Sequence, residues 1–371
     1  MKKDGLKLGL ALSGGGIRAT IFHLGILKFL AEAGLFNRIA SISSVSGASL
    51  CIGLVLAKNN LAWPSGPEYL DRVLPEIEKT IMENNIQRSV LLDLPFSPKY
   101  WWNRVELLAR VVEQKWGIYG NLQELPALPY WEINCTTYET GKSFRIRRDY
   151  MGDFKTGYTQ NPGLSIANVI AASAGFPALI GPYRINARGY RWTSQKWEGE
   201  ELAPLDDYYH LWDGGVYDNL GLEALYKIGR GLDAEINYLL VCDASASIAV
   251  KKRKPSLSPS NLKRLLDIAM DQVGSLRCRN IYSYVVKQNE GAFIKIGNSA
   301  AEISESGGLS PDAARELISS CMTAEQALSV QNYPTTLTTP TAENFSLILR
   351  HGYENAKCVY ACYMKEGAAG Q

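Results

Sequence analysis

The chain has 371 residues, 46% of them hydrophobic and 20% charged, a globular balance that excludes wholesale disorder and a disulfide-stapled mini-protein. Thirty-nine Lys and Arg against 37 Asp and Glu leave a net charge of +2, which excludes a sequence-wide field for nucleic acid. Seven scattered cysteines without a CxxC pair predict reduced thiols and a cytoplasmic setting.

Residues 6–12 are apolar apart from Lys7, the pattern of a strand buried on both faces of a parallel sheet. A glycine loop ends it, and Ile17, Ile21, Leu24, Leu27 and Leu30 then recur at helical spacing up to a Gly34 cap. Residues 39–45 read as a second buried strand and 47–57 as a second helix; the apolar run 48–57 is too short to span a bilayer. Proline-rich loops at 63–67 and 94–98 bracket helical stretches. Residues 130–138 and 143–147 read as a hairpin, and Ser165 as the cap of a helix to residue 174. Strands follow at 183–186, 190–193, 208–212 and 238–243, and helices at 261–287 and 342–363. The strand–helix alternation predicts an α/β fold of three layers, a mostly parallel sheet flanked by helices. No repeat or polar linker divides the chain, so the expectation is a single domain over 1–371 with a variable lid or interface insertion at about 60–130.

Two turns carry candidate chemistry, each at the carboxyl end of a strand, where open α/β sheets place ligands. The first is Ser13-Gly14-Gly15-Gly16-Ile17-Arg18-Ala19, whose backbone amides and following helix N-terminus suit an anion. Its spacing also fits a dinucleotide fingerprint, but the second strand ends in Ser43-Ser44-Val45-Ser46 without the required carboxylate. The second is Ser44-Val45-Ser46-Gly47-Ala48-Ser49, a tight strand-to-helix turn with small residues around Ser46, which reads either as a nucleophile elbow or as a helix cap. A nucleophilic serine needs a base. The candidates are His23, His210, His351 and Asp213, the last opening Asp213-Gly214-Gly215-Val216-Tyr217-Asp218-Asn219 after a strand. That run also reads as a structural Asp-Gly turn. Cys358 and Cys362, four apart on one helix, supply at most half a metal site, and no metal or cofactor is expected.

In this order the glycine loop, the serine elbow and the Asp-Gly-Gly turn resemble the patatin-like phospholipase family. Ala172-Ser173-Ala174-Gly175-Phe176-Pro177 looks like the family segment before the aspartate, and the likeness covers most of the chain. Ser44 matches an elbow found in bacterial members, and Ala48 departs from it by one methyl. The resemblance implies a lipid acyl hydrolase of phospholipase A or lysophospholipase type acting on carboxylic esters. Ser46 would be the nucleophile and Asp213 the base of a dyad without histidine. Gly15 and Gly16, with Gly14 or Gly47 contributing, would form the oxyanion hole, and Arg18 would bind the substrate phosphate.

The partner implied is a phospholipid surface met transiently, with the enzyme cytoplasmic or peripheral at the inner membrane face. The aromatic run Phe96, Tyr100, Trp101 and Trp102 with Lys99, near Trp63 and Trp116, suits such an interface or the core. Lys251, Lys252, Arg253 and Lys254 read first as a solvated loop and second as a contact for anionic headgroups. Two alternatives stand beside this reading. One is a Ser-His-Asp esterase in the order Ser46, Asp213, His351. The other is a phospholipase effector of the antiphage kind, silent until a protein or a small molecule such as a cyclic nucleotide activates it.

Overall fold

The computed structural model describes residues 5–175, 180–246, 248 and 259–364. Phe176, Pro177 and the basic run 251–254 lie outside them. Strand β1 (Leu8–Leu12), helix α1 (Gly16–Glu32), strand β2 (Ile39–Ser44) and helix α2 (Gly47–Ala57) open the chain. Helices α3 (Gly66–Glu68), α4 (Leu74–Glu83), α5 (Ile86–Asp93) and α6 (Arg104–Trp116) fill the stretch anticipated as an insertion. Strands β3 (Tyr130–Thr137), β4 (Ser143–Ile146), β5 (Tyr150–Asp153) and β6 (Gly157–Gln160) lead to helix α7 (Ile166–Ser173). Next come β7 (Tyr183–Asn186), β8 (Trp192–Thr193), β9 (Glu201–Leu202), β10 (Tyr208–Asp213) and the one-turn helix α8 (Gly215–Asp218). A small ribbon, β11 (Tyr226–Lys227) and β12 (Gly231–Leu232), precedes β13 (Tyr238–Asp243), α9 (Pro259–Ile281) and β14 (Gly291–Lys295). Helices α10 (Ala300–Ser306), α11 (Pro311–Ser319), α12 (Ala324–Gln331) and α13 (Ala342–Tyr363) complete the chain.

Among the described residues twelve strands form one sheet, in which β14, β13, β1, β2 and β3 lie side by side and parallel. Beyond β3 the sheet continues antiparallel through β4, β5, β6, β8 and β9, while β10 pairs antiparallel with both β3 and β7. The sheet is therefore partly parallel. Its parallel half is covered on both faces, as the unbroken burial of β1 and β13 requires. Leu8, Leu10 and Leu12 pack with Tyr238, Leu240 and Cys242 into the larger core. The alternate residues Ala11, Leu239 and Val241 face a second core with Ile281 and Val285.

Helices α1 and α13 cross backbone to backbone. A Cβ on Gly25 would lie 2.0 Å from the Leu349 carbonyl oxygen, and one on Gly352 2.0 Å from that of Phe22. Such an approach is open only to glycine.

One feature of β3 positions the site. Its residue Ile133 pairs with Ser44 at the end of β2, and β3 then runs on past that end. Strand β10 pairs antiparallel with this overhang and stops at Asp213 opposite Cys135, two residues beyond Ile133. A strand arriving from the opposite direction thus delivers its last residue beside the carboxyl end of β2.

Candidate active site

Ser46 joins β2 to α2 with φ 52° and ψ −115°, a conformation that costs a non-glycine residue on the order of 1–3 kcal/mol. It stands at the N-cap of α2, yet its hydroxyl makes no capping bond; the helix-cap reading is set aside. Half-buried Ser46 is flanked by buried Val45 and Gly47. The Val45 N–H donates to the Leu12 carbonyl at 3.2 Å, and the Ser46 N–H donates to Ser173 Oγ at 3.0 Å. A Cβ on Gly47 would sit 2.2 Å from the Gly16 carbonyl oxygen, so the elbow and the glycine loop touch because neither has a side chain there. Ala48, the departure from the family pattern, is fully buried and donates its N–H to Val45 at 3.0 Å. Its methyl is accommodated.

The glycine loop divides its amides. Gly14 donates its N–H to the Asn219 carbonyl at 3.1 Å, which removes it from the expected set of oxyanion donors. The Ile17 N–H donates to the Thr336 carbonyl at 2.8 Å. Among the described residues no acceptor takes the amides of Gly15, Gly16 or Gly47. Gly15 (φ 151°) and Gly16 (φ 62°) adopt backbone that other residues avoid. Thr20 Oγ1 ties the two turns together, donating to the Gly47 carbonyl at 2.8 Å with the Gly16 carbonyl at 3.2 Å.

Asp213 is buried at the end of β10. Its N–H donates to the Gly175 carbonyl at 3.1 Å, its carbonyl accepts Thr136 Oγ1 at 3.0 Å, and its Oδ1 accepts the Gly215 N–H at 2.7 Å. Burial pushes its pKa up to about 6, while the Gly215 amide and the Ser46 hydroxyl pull it back. A carboxylate of that basicity near a serine hydroxyl can take up and return a proton near neutral pH.

Arg18 stands differently from the expectation. It is wholly buried and donates from Nε and Nη2 to the Ala244 carbonyl (3.2 and 3.1 Å), from Nη1 to the Tyr333 carbonyl and from Nη2 to Thr335 Oγ1 (3.2 Å). Burial lowers its pKa to about 10, with Asp243 opposing, so it stays charged. In this conformation it ties the loop after β13 and the segment before α13 to the first turn of α1, and it offers a phosphate no open face.

The histidines stand apart from Ser46 and Asp213. His23 Nε2 lies 2.9 Å from the Ser13 carbonyl, His210 Nδ1 lies 2.6 Å from Glu139 Oε1, and buried His351 Nε2 accepts the Gly297 N–H at 2.8 Å. Among the described residues none bonds Ser46 or Asp213, which removes the triad through His351. Sequence reading missed the roles of Ser173, Thr136 and Asn219; a signal existed for Ser173, in the segment 172–177, and for Asn219, in the run that opens at Asp213.

The aromatic run of the 60–130 region splits by position. Phe96 (87%), Trp101 (52%) and Trp102 (90%) are exposed beside Leu91 and Leu92, whereas Tyr100 and Trp116 are buried.

The model of the patatin-like phospholipase family matches residues 10–226. No curated protein matches the chain. Among solved structures, human GIVD cytosolic phospholipase A2 is similar with a TM-score of 0.53 at 14% identity, covering 98% of this chain and 61% of that one. The same human protein in complex with methyl gamma-linolenyl fluorophosphonate and terbium chloride gives 0.49 at 13% identity, over 98% and 60%. VipD from Legionella pneumophila gives 0.38 at 13% identity, over 96% and 67%. The chain spans about three-fifths of the human protein's length. The first of these likenesses extends to the fold.

Proposed function

The chain belongs to the patatin-like phospholipase family, and on that premise we propose that it is a lipid acyl hydrolase that cleaves carboxylic esters of membrane phospholipids through a Ser46–Asp213 dyad. The observation that carries the reading is the meeting of a strained, half-buried Ser46 with a buried Asp213 of raised basicity, beside the amides of Gly15, Gly16 and Gly47, which no acceptor among the described residues takes.

The Asp213 carboxylate accepts the Ser46 Oγ proton as Oγ attacks the ester carbonyl carbon. The carbonyl oxygen, now an anion, moves toward the amides of Gly15 and Gly16, with Gly47 as a third donor. Collapse breaks the ester C–O bond, and the leaving alkoxide takes the proton held by Asp213. Water then gives a proton to Asp213 and attacks the acyl–Ser46 carbonyl carbon; the Ser46 oxygen leaves with that proton, releasing a fatty acid. No step calls on a histidine or a metal ion. The exposed Leu91, Leu92, Phe96, Trp101 and Trp102 form the face that meets the lipid, since aromatic rings favour the membrane interface.

A gated form of the same activity draws on one set of contacts. The segment just before α13 lays Thr336 against the glycine loop, its carbonyl oxygen 2.5 Å from where a Gly16 Cβ would stand. An activator that shifts this segment would alter the anion site.

The test is hydrolysis of mixed phospholipid vesicles in EDTA, read by mass spectrometry, with wild type, Ser46→Ala and Asp213→Asn in parallel. Fatty acid release by wild type alone is expected. Equal release by Ser46→Ala overturns the dyad, and constitutive release by the purified wild type removes the gated form.

A further inference from the structure

The geometry points to Ser173 as the positioning residue of the elbow: its buried hydroxyl accepts the Ser46 N–H and holds Ser46 where its Oγ faces Asp213. The inference rests on Ser46 being the nucleophile. Ser173 is the last residue of α7 and fully buried, and its hydroxyl reaches three partners. These are the Ser46 N–H at 3.0 Å, Ser49 Oγ at 3.0 Å and the Asn134 carbonyl at 2.8 Å.

The direction of every bond in this cluster follows from its two ends. Trp131 Nε1 can only donate, and it donates to Ser44 Oγ at 2.8 Å; the Asn134 carbonyl can only accept. Ser173 has one proton and gives it to Asn134. Ser49 must then donate to Ser173, and Ser44 must donate to Ser49 across 2.9 Å. The lone pairs of Ser173 therefore receive Ser49 and the Ser46 amide, and the bond to the Asn134 carbonyl sets the orientation of its hydroxyl. A fixed acceptor is what a residue at φ 52° needs, because the strain of such backbone persists only where neighbours over-determine it.

The same turn reaches the other half of the pair. Two residues on, the Gly175 carbonyl accepts the Asp213 N–H at 3.1 Å. The end of α7 thus bonds the main chain of both residues and sets their separation. Losing the Ser173 acceptor frees one side of that ruler. The loss falls on alignment for the chemical step and leaves lipid binding unchanged.

The experiment uses the full chain, an alkyl fluorophosphonate probe with peptide mapping, and steady-state hydrolysis of phospholipid vesicles. It compares wild type, Ser173→Ala, Ser173→Thr and Ser49→Ala, each checked by thermal melting. Ser49→Ala removes a neighbouring hydroxyl of the same buried chain and leaves the Ser46 amide its acceptor, so it matches the packing loss. Expected are a roughly 10- to 100-fold fall in labelling rate and kcat for Ser173→Ala at unchanged KM, recovery in Ser173→Thr, and near wild-type rates in Ser49→Ala. Folded Ser173→Ala with wild-type labelling and kcat overturns the inference, as does an equal loss in Ser49→Ala. Wild type that labels at a residue other than Ser46 overturns the dyad itself and this inference with it.

Discussion

Burial of the Asp213 carboxylate has two consequences that can be measured separately. Its pKa of about 6 places the acid limb of the pH–rate profile there: kcat/KM should rise as pH climbs through about 6 and level off above it, because only the ionised form accepts the Ser46 proton. A limb near pH 4 would mean that burial does not raise the Asp213 pKa. The same shift lowers stability. A folded pKa above the unfolded one favours the protonated form, so the carboxylate's contribution is fully present below its unfolded value near 4 and lost as pH rises past about 6. Asp213→Asn keeps an acceptor for the Gly215 amide and removes the charge. It should be inactive yet more stable than wild type at pH 8, by on the order of 2–3 kcal/mol, with the gap closing by pH 4. Melting curves at the two pH values read this directly. A variant less stable at pH 8 would show that the carboxylate's hydrogen bonds outweigh its desolvation. At this scale the sequence marked Ser46 and Asp213 through the turns they stand in. It kept Gly14 as a contributor beside Gly15 and Gly16, because the bond that occupies the Gly14 amide is to Asn219, over two hundred residues away.

Helices α1 and α13 touch through glycines on both sides, an element-scale fit with no slack. Gly352→Ala would place a methyl 2.0 Å from the Phe22 carbonyl and must push the helices apart. Overpacking of this kind costs about 1–3 kcal/mol or more, read as a lowered melting temperature. A melting temperature equal to wild type would mean that the helices can separate freely. The segment from α5 to the start of α6 exposes Leu91, Leu92, Phe96, Trp101 and Trp102, more apolar surface than single scattered residues leave. The double change Phe96→Ser and Trp102→Ser should cut vesicle hydrolysis several-fold and leave a soluble short-chain ester untouched. Equal loss on both substrates would count against an interfacial role. The strand–helix alternation through α2 was legible because buried strands and amphipathic helices differ in period. The short antiparallel strands β5, β6 and β9 were not, since two- to four-residue strands carry too little pattern and exist only through their partners.

The layer that joins α1 and α13 makes the stability of the whole fold depend on pH. Burial pushes His23 and His351 each down to about 4, whereas an unfolded histidine titrates near 6.5. Between these values the unfolded chain binds protons that the folded chain does not, so stability falls as pH drops from about 6.5 toward 4. Asp213 acts with the opposite sign over its own window. His351→Asn retains an acceptor for the Gly297 amide without taking up a proton. Its stability relative to wild type should therefore rise as pH falls through that window, with specific activity within about twofold of wild type at pH 8. A constant gap would mean that His351 is not held neutral by burial, and a collapse of activity in the folded variant would restore a histidine to the mechanism.

Local pattern along the chain was enough for the α/β class and for the order of the two strand-end turns that hold Ser46 and Asp213, because such turns are written in adjacent residues, whereas the roles proposed for the two side chains came from the family resemblance. The meeting of those turns, the burial that raises the Asp213 pKa, the engagement of Arg18 by Ala244 and Tyr333, and the Ser173 acceptor for the Ser46 amide depend on residues that only folding brings together. Each is a matter of which hydrogen-bond partners and how much water a group finds, and such surroundings are assembled from distant parts of the chain.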